Sequence, residues 1–392
     1  MVSVIIPMYN GEKYVREAMD SVLSQSYSDF EIIAIDDCGY DGTMRIIEEY
    51  AEKDMRIRII RNDSNKGIAY SRNRAMAEAR GEYIALLDDD DVMCQDRLML
   101  QVNYLEQNPE IGCVGGNAIW IDENNIEVRG MENVITEPNQ IKMFLLLRNI
   151  FNNGEMMFRR SIAERYGLQF GENCYGMEDF YFWIHFSKVA KITNLKELVL
   201  KKRHFSLNET AKMQTEYAAE RRQKYHELQL LSLELSGFQL DDRMRETLLH
   251  FFGEEQQIPQ DYEKIGDVYY LLDELIKQAD RCAPEVVEYM QDWFLDIMES
   301  WYHSTWKWNS RRWACLERGE YYDRLVESEK WHNEHEKVME KVIREKDSAL
   351  EWHVQHEQDM ENYIREKDDA LEWHVQHEQD MEDYIHELEQ RS

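Results

Sequence analysis

"VSVIIPMYNGEKYVREAMDSVLSQSYSDFEIIAIDD", residues 2–37, changes its hydrophobic period twice. The first run, "VSVIIP", is short, apolar and β-branched, as a strand covered on both faces must be. "GEKYVREAMDSVLSQ" then puts Tyr14, Ala18, Val22 and Leu23 on one helical face. "FEIIAIDD" is a second apolar run, and it ends on Asp36 and Asp37. Strand, helix and strand in this order predict a βαβ unit and hence parallel pairing.

Outward from this unit the alternation continues to about residue 210. "TMRIIEEYAEK" reads as a helix and "IRIIRN" as a strand. "GIAYSRNRAMAEAR" is a further helix, with Gly81 placed to end it, and "EYIALLDD" a fourth strand. The expected fold class is α/β, with a mostly parallel sheet and flanking helices. In such sheets ligands bind at the carboxyl ends of the strands. Two acidic groups fall there, Asp36–Asp37 after the second strand and Asp88–Asp91 after the fourth.

Four consecutive carboxylates where a strand leaves the core need a physical reason. At about 4 Å and an effective dielectric near 20, each like-charge pair costs roughly 4 kcal/mol. Water and salt remove most of that at an open surface, so a solvated turn is the plain reading. A bound cation would remove it inside a cleft. Two acidic strand ends on one edge favour the cleft.

The 392 residues suffice for two or three domains. A net charge of -32 argues against nucleic acid as a partner and against attraction to an anionic membrane. No run reaches the roughly 18 apolar residues of a membrane span. "MFLLLRNIF" (143–151) is short and interrupted by Arg148. "MVSVIIPMYN" lacks the basic start and cleavage site of a signal peptide. The six cysteines form neither a CxxC pair nor a zinc-finger spacing, so reduced thiols are expected. Together these predict a cytoplasmic protein, with contact at the inner face of the membrane left open.

The first 210 residues resemble the family 2 glycosyltransferases, which have the GT-A fold. The resemblance rests on ordered motifs: the 36 residues quoted above, then "DGT", "NKGIAYSRNRAMAEARGEYIALLDDDD", "MMFRRS", "GMEDFYFWIHF" and "RHFS". It implies an inverting, metal-dependent transfer of a sugar from a nucleotide-diphosphate sugar, with UDP the expected nucleotide, to a hydroxyl of a glycan, lipid-linked or protein acceptor. The family's DxD motif matches Asp88-Asp89-Asp90. By that match Asp90 is the direct ligand of Mg2+ or Mn2+, while Asp88 and Asp89 contact the ribose or metal-bound water. His204, in "KKRHFS", matches a further metal or diphosphate ligand, beside the cations Lys201, Lys202 and Arg203.

The resemblance also places the nucleotide. Pro7, Tyr9 and Asn10 line the base pocket, Tyr9 stacks, Asp37 accepts from the uracil N3–H, and Arg72 reaches the base or phosphate. Asn10 before "GEKY" is equally an expected helix cap. One departure from the family pattern stands out: "DDCGYDGT" replaces the usual "DDGSxD". The "GMEDFYFWIHF" segment matches the family's ED motif. Asp179 is then the base that takes the acceptor proton, with Glu178 orienting it or touching the acceptor. Without the other motifs, the same pair would simply complement a helix dipole.

The remainder lies beyond the resemblance. Residues 1–212 are the expected catalytic domain, 213–330 a helical domain, and 331–392 a tail. In the helical domain, Trp293 and four further tryptophans between 301 and 313 read as core packing, with a lipid- or sugar-contacting surface as the sharper alternative. The tail repeats "REKDSALEWHVQHEQDMENYI" (344–364) as "REKDDALEWHVQHEQDMEDYI" (365–385). The 21-residue period is three heptads, with Ile343, Leu350, Ile364, Leu371 and Ile385 at a and Met339, Met360, Met381 and Leu388 at d. His353 and His374 at d, and Glu357 and Glu378 at a, interrupt the seam. A coiled coil and a homo-oligomer, most simply a dimer, are predicted. Two other functions compete. A nucleotidyltransferase would need a Gly-rich loop after the first strand, which "MYNGEKY" is not. A catalytically weak scaffold working through its tail would not need intact DxD and ED motifs.

Overall fold

The computed structural model describes residues 1–130, 134–204, 217–252, 262–294 and 297. The predicted coiled coil and the tryptophans from 301 onward lie outside these residues.

Four strands form first: β1 (Val2–Met8), β2 (Phe30–Asp36), β3 (Ile57–Arg61) and β4 (Tyr83–Leu86). They alternate with α1 (Val15–Leu23), α2 (Thr43–Ala51) and α3 (Ile68–Glu78). All their pairings are parallel, in the order β3-β2-β1-β4. β1 and β2 are buried along their whole length. Their side chains alternate between two cores. Val2, Val4, Ile6 and Met8 meet Val15, Ala18, Met19 and Val22 of α1 in one core. Ile5, Ile33 and Ile35 lie in the other. Each such side chain contributes about 1.5–3 kcal/mol of burial.

The second half departs from the expected sheet. β5 (Val92–Met93), β6 (Ile111–Ile121), β7 (Glu127–Arg129), β8 (Met157–Arg159) and β9 (Lys191–Arg203) complete one nine-stranded sheet in the order β3-β2-β1-β4-β8-β6-β9-β5, with β7 on β6. β8 runs antiparallel to both β4 and β6, β5 is antiparallel to β9, and β6 and β9 are parallel. The sheet is therefore mixed rather than mostly parallel. The reason is local: β8 has only three residues, inserted where a crossover helix would otherwise have delivered a parallel neighbour.

Gly81 does not end α3. The helix stops at Glu78 with Ala79 extended, and Gly81 instead lets the chain pass against β1. A Cβ there would sit 2.5 Å from the Ser3 backbone nitrogen. Around the sheet pack α4 (Arg97–Gln107), α5 (Pro138–Leu145), α6 (Arg160–Tyr166) and α7 (Glu178–Val189). α8 (Ala218–Leu235), α9 (Asp242–Phe251) and α10 (Tyr262–Cys282) follow. The described residues from Met1 to Ile297 belong to one compact unit. A third core joins Met143, Phe144, Leu146 and Leu147, at and just past the end of α5, to Leu233, Leu248, Leu271 and Leu275 of α8–α10. Trp293 packs edge-on to Phe144 and tilted against Phe252.

Candidate active site

β1 and β4 pair only from Val2–Ile5 to Tyr83–Leu86. Pro7, buried in β1 and still paired with Ile35 of β2, has no N–H to offer the other side. β1 leads to one half of the sheet and β4 to the other, so a crevice opens where they part. The residues singled out by sequence surround this edge.

Tyr9 is 46% exposed, and its ring meets that of Tyr40 edge-on at 6.3 Å. Asn10 is not a helix cap. α1 begins at Val15, and Asn10 takes the left-handed region (φ 55°) while its Oδ1 accepts from the Tyr40 N–H at 2.9 Å. Asp37 is buried, and it accepts from Asn62 Nδ2, the Lys66 N–H and the Gly67 N–H, at 2.7–2.8 Å. A carboxylate has about four lone pairs, so one remains. Cys38 sits at φ 63°, where the family pattern has glycine, and Gly39 then donates to Asp36 Oδ1 at 3.0 Å. The tight turn survives the substitution, at a strain of about 1–2 kcal/mol.

The four carboxylates of the acidic turn are not equivalent. Asp88 Oδ1 accepts from Arg72 Nη2 at 2.7 Å, and Asp89 Oδ2 from the Tyr9 N–H at 3.3 Å. Asp91 is 2% exposed and accepts from the Arg203 N–H at 2.8 Å, so it ties the turn to β9. Among the described hydrogen bonds, Asp90 is the only one of the four whose carboxylate accepts from no other residue, while its backbone carbonyl accepts from Arg203 Nε at 2.9 Å. Burial, then the mutual repulsion of the cluster, raises Asp89 and Asp91 well above the carboxylate range. Asp90 is pushed up to about 6 by burial and by Asp88, against the pull of Lys202. Arg72 pairs with Asp88 and Lys202 pulls on Asp90 and Asp91, but together they do not offset the burial and repulsion. No group of three or more His, Cys, Asp or Glu side chains among the described residues is gathered to hold a metal unaided. His204 ends up beside the turn, after Arg203. Its ring lies edge-on to Trp120 at 5.6 Å, and its backbone N–H donates to the Ile121 carbonyl at 2.9 Å.

Arg72 lies deeper than the sequence suggested. It is 2% exposed, with Nη1 donating to Glu178 Oε1 at 2.9 Å, Nη2 to Asp88, and its plane 5.4 Å from the Phe170 ring. Burial opposes its charge, but Asp88 and Glu178 more than offset that. One guanidinium thus joins the acidic turn to the first turn of α7. Asp179, next in that helix, accepts from its neighbour's Phe180 N–H at 2.7 Å and from Asn149 Nδ2 at 3.0 Å. Burial and the adjacent Glu178 push its carboxyl up to about 7. A base poised there accepts a proton near neutrality.

The short segment 149–155, "NIFNNGE", carried no recognisable motif, yet it touches much of the site. Asn149 bonds Asp179, and the Asn153 amide lies 3.1 Å from both terminal nitrogens of Arg72. Asn152 Oδ1 accepts from Lys202 Nζ at 3.2 Å. Glu155 is buried, closes a 3-10 turn with Asn152, and is pushed up to about 7 by burial. Beneath it the fully buried Arg97 donates to the carbonyls of Gly154, Leu86 and Met156.

Comparison with known proteins bears on the family and the fold. The model of Glycosyl transferase family 2 matches residues 3–167. A glycosyltransferase of Methanocaldococcus jannaschii is 34% identical over 206 residues, spanning 52% of this chain and 70% of that protein. The chain belongs to glycosyl transferase family 2. Another relative of this family 2 glycosyltransferase is the Escherichia coli UDP-Glc:alpha-D-GlcNAc-diphosphoundecaprenol beta-1,3-glucosyltransferase WfgD. It is 30% identical over 194 residues, 49% of this chain and 72% of that one. The structure of S. aureus TarS 1-349 in complex with UDP-GlcNAc superposes with a TM-score of 0.52 at 19% identity, over 73% of this chain and 82% of that one. That likeness bears on the fold, a GT-A type α/β sheet. None of the helices among the described residues is long and apolar enough to cross a membrane.

Proposed function

We propose that this glycosyltransferase is inverting and metal-dependent, and moves a sugar from a UDP-sugar to a hydroxyl of a glycan or glycoconjugate. The observation that carries the reading is the Arg72 bridge. Through one guanidinium it joins the carboxylate cluster to Glu178, the residue beside the proton-accepting Asp179. The donors named for the relatives, UDP-Glc and UDP-GlcNAc, support UDP as the nucleotide.

The donor set suits Mg2+ or Mn2+. Asp90 offers free carboxylate oxygens, and such an ion takes one or two carboxylates and completes its shell with phosphate oxygens and water. When bound, the cation neutralises the turn and the diphosphate charge that grows as the glycosidic bond breaks. The chain's own residues do the rest. Tyr9 offers an exposed ring for the base, and Asp37 keeps one lone pair for its N–H. Lys202 adds positive charge on the side of Asp90 and Asp179. Asp179 takes the proton from the acceptor hydroxyl. The freed oxygen forms its bond to the anomeric carbon on the face opposite the diphosphate. The old C–O bond breaks, and the nucleotide diphosphate leaves with the electron pair.

The test is a screen of UDP-sugars for thermal stabilisation with and without Mg2+ or Mn2+, then product analysis with the best donor. A metal-dependent shift and a product of inverted anomeric configuration are expected. Full turnover in excess chelator, or a retained configuration, would overturn the reading.

A further inference from the structure

We infer that Asn149 is the positioning residue of the base, fixing the Asp179 carboxylate through an amide that α8 holds in place. This rests on reading Asp179 as the base. The Asn149 side chain has one orientation that satisfies both ends. Its Oδ1 accepts from the Phe151 N–H at 3.1 Å, so its Nδ2 faces Asp179 Oδ2 at 3.0 Å. Asp179 Oδ1 is meanwhile taken by the Phe180 N–H. With one donor on each oxygen, the carboxylate plane cannot turn, and the lone pairs left over point in fixed directions.

Asn149 is itself braced from outside the sheet. It lies two residues past Leu147, whose carbonyl accepts from Tyr225 Oη at 3.1 Å and Gln229 Nε2 at 2.8 Å, both on α8. Ser232 Oγ holds the Leu145 carbonyl in the same way at 2.8 Å. Phe151, on the far side of Asn149, packs edge-on to Trp183 of α7 at 5.6 Å, and Phe180 lies 5.9 Å from the Tyr225 ring. The segment is thus clamped between the helix that carries the base and the helix that follows the sheet. This gives α8 a role in catalysis although none of its residues need touch substrate.

The charges facing Asp179 are Glu178 on its own helix, Arg72 on α3 and Lys202 on β9. Asn149 adds a neutral donor that favours the ionised form. Removing it should raise the midpoint of Asp179 by about one pH unit, the scale of one hydrogen bond to a charged group. Asn149→Asp keeps the shape but turns an oxygen toward Asp179, and should raise the midpoint further.

The experiment follows the Asp179 carboxylic-acid C=O band by infrared difference spectroscopy across pH in the full chain, with Asp179→Asn identifying the band. It needs no substrate, and loosened packing alone would let in water and lower the midpoint rather than raise it. The expected result is an upward shift of about one unit in Asn149→Ala and more in Asn149→Asp, which stands in if the alanine variant does not fold. Gln229→Leu should lower sugar transfer or hydrolysis of UDP-glucose or UDP-N-acetylglucosamine several-fold without changing UDP binding. Unmoved midpoints in the folded Asn149 variants would overturn the inference. Near wild-type turnover by Asp179→Asn would instead overturn the reading of the base, whatever Asn149 does.

Discussion

The acidic turn, through Asp89, Asp90 and Asp91, and the start of α7, through Asp179, both hold carboxyls above their usual range, yet they are finished differently. In the turn, like charges crowd together and the Asp90 carboxylate accepts from no other residue among the described hydrogen bonds. At the helix, Glu178 is paired with Arg72 and both Asp179 oxygens are occupied by N–H groups. One group has a single arginine against four carboxylates, and that arginine is shared. The other has its partners and is poised to gain a proton. The difference teaches that raised carboxyls are not one signal. What separates a cation site from a base is which lone pairs the protein has already used.

The sharpest way to break this comparison is to treat the two groups alike. Asp179→Asn should lower transfer about 10³-fold while UDP binding survives, because it removes proton acceptance with little change of shape. Wild-type activity should fall about tenfold per pH unit below about 7, as the base protonates. Asp90→Ala should also lower transfer about 10³-fold, but here the metal-dependent stabilisation by UDP should vanish with it. If each variant showed the other's binding phenotype, the roles would have to be exchanged.

Next in size is the bridge itself. Arg72→Met leaves Asp88 and Glu178 facing each other without their cation, and should cost about 3–5 kcal/mol of stability in a chemical denaturation curve. A loss under about 1 kcal/mol would mean that the two groups are not coupled through the guanidinium.

Smaller, and diagnostic of the difference, is the pH dependence of stability without metal. A carboxyl whose folded pKa lies above its unfolded value stabilises the fold at low pH and loses that contribution as pH rises through the folded value. Asp90 titrates near 6 and Asp179 near 7. The melting temperature in chelator should therefore decline as pH is raised from about 5 to about 8. Mg2+ with UDP should remove the part due to the turn and leave the part due to Asp179. A profile that is flat in chelator would contradict the raised carboxyls of Asp90 and Asp179.

The smallest effect concerns Cys38, the left-handed residue at the mouth of the donor side. Cys38→Gly should raise stability by about 1 kcal/mol by relieving the strained φ, with no change in UDP affinity. A destabilised variant would show that the thiol makes up for its backbone.

How far the sequence could be read follows from distance along the chain. β1 to β4 and α1 to α3 announce themselves because their apolar periods are local, and parallel strands covered on both faces read as short apolar runs rich in β-branched residues. The acidic turn was visible because four aspartates are consecutive. β8 was not, since three residues have no period, and with it went the expectation of a mostly parallel sheet. Arg72 was assigned to the base or phosphate because nothing near "SRN" hints at Glu178, 106 residues away. Asn10 looked like a cap because its true partner, the Tyr40 N–H, lies on another loop. Asn149 and Glu155 carried no signal beyond polarity in "NIFNNGE"; only the packing of α5, α7 and α8 around that segment gives them meaning.

The bond from the Arg203 N–H to Asp91 has a consequence for how the protein is made. Its two ends are 112 residues apart, and the β5–β9 pairing that accompanies it spans a similar length of chain. At ribosomal speeds of about 5–20 residues per second, Asp91 emerges about 6–22 s before its partner exists. During that interval β1 to β4 can fold with the four aspartates still solvated and free of mutual burial. The repulsion is met only when β9 arrives and closes the turn. The last strand of the sheet is therefore the step that turns an open acidic loop into a binding site, and a nascent chain stalled before residue 190 should fold its parallel half while failing to retain UDP.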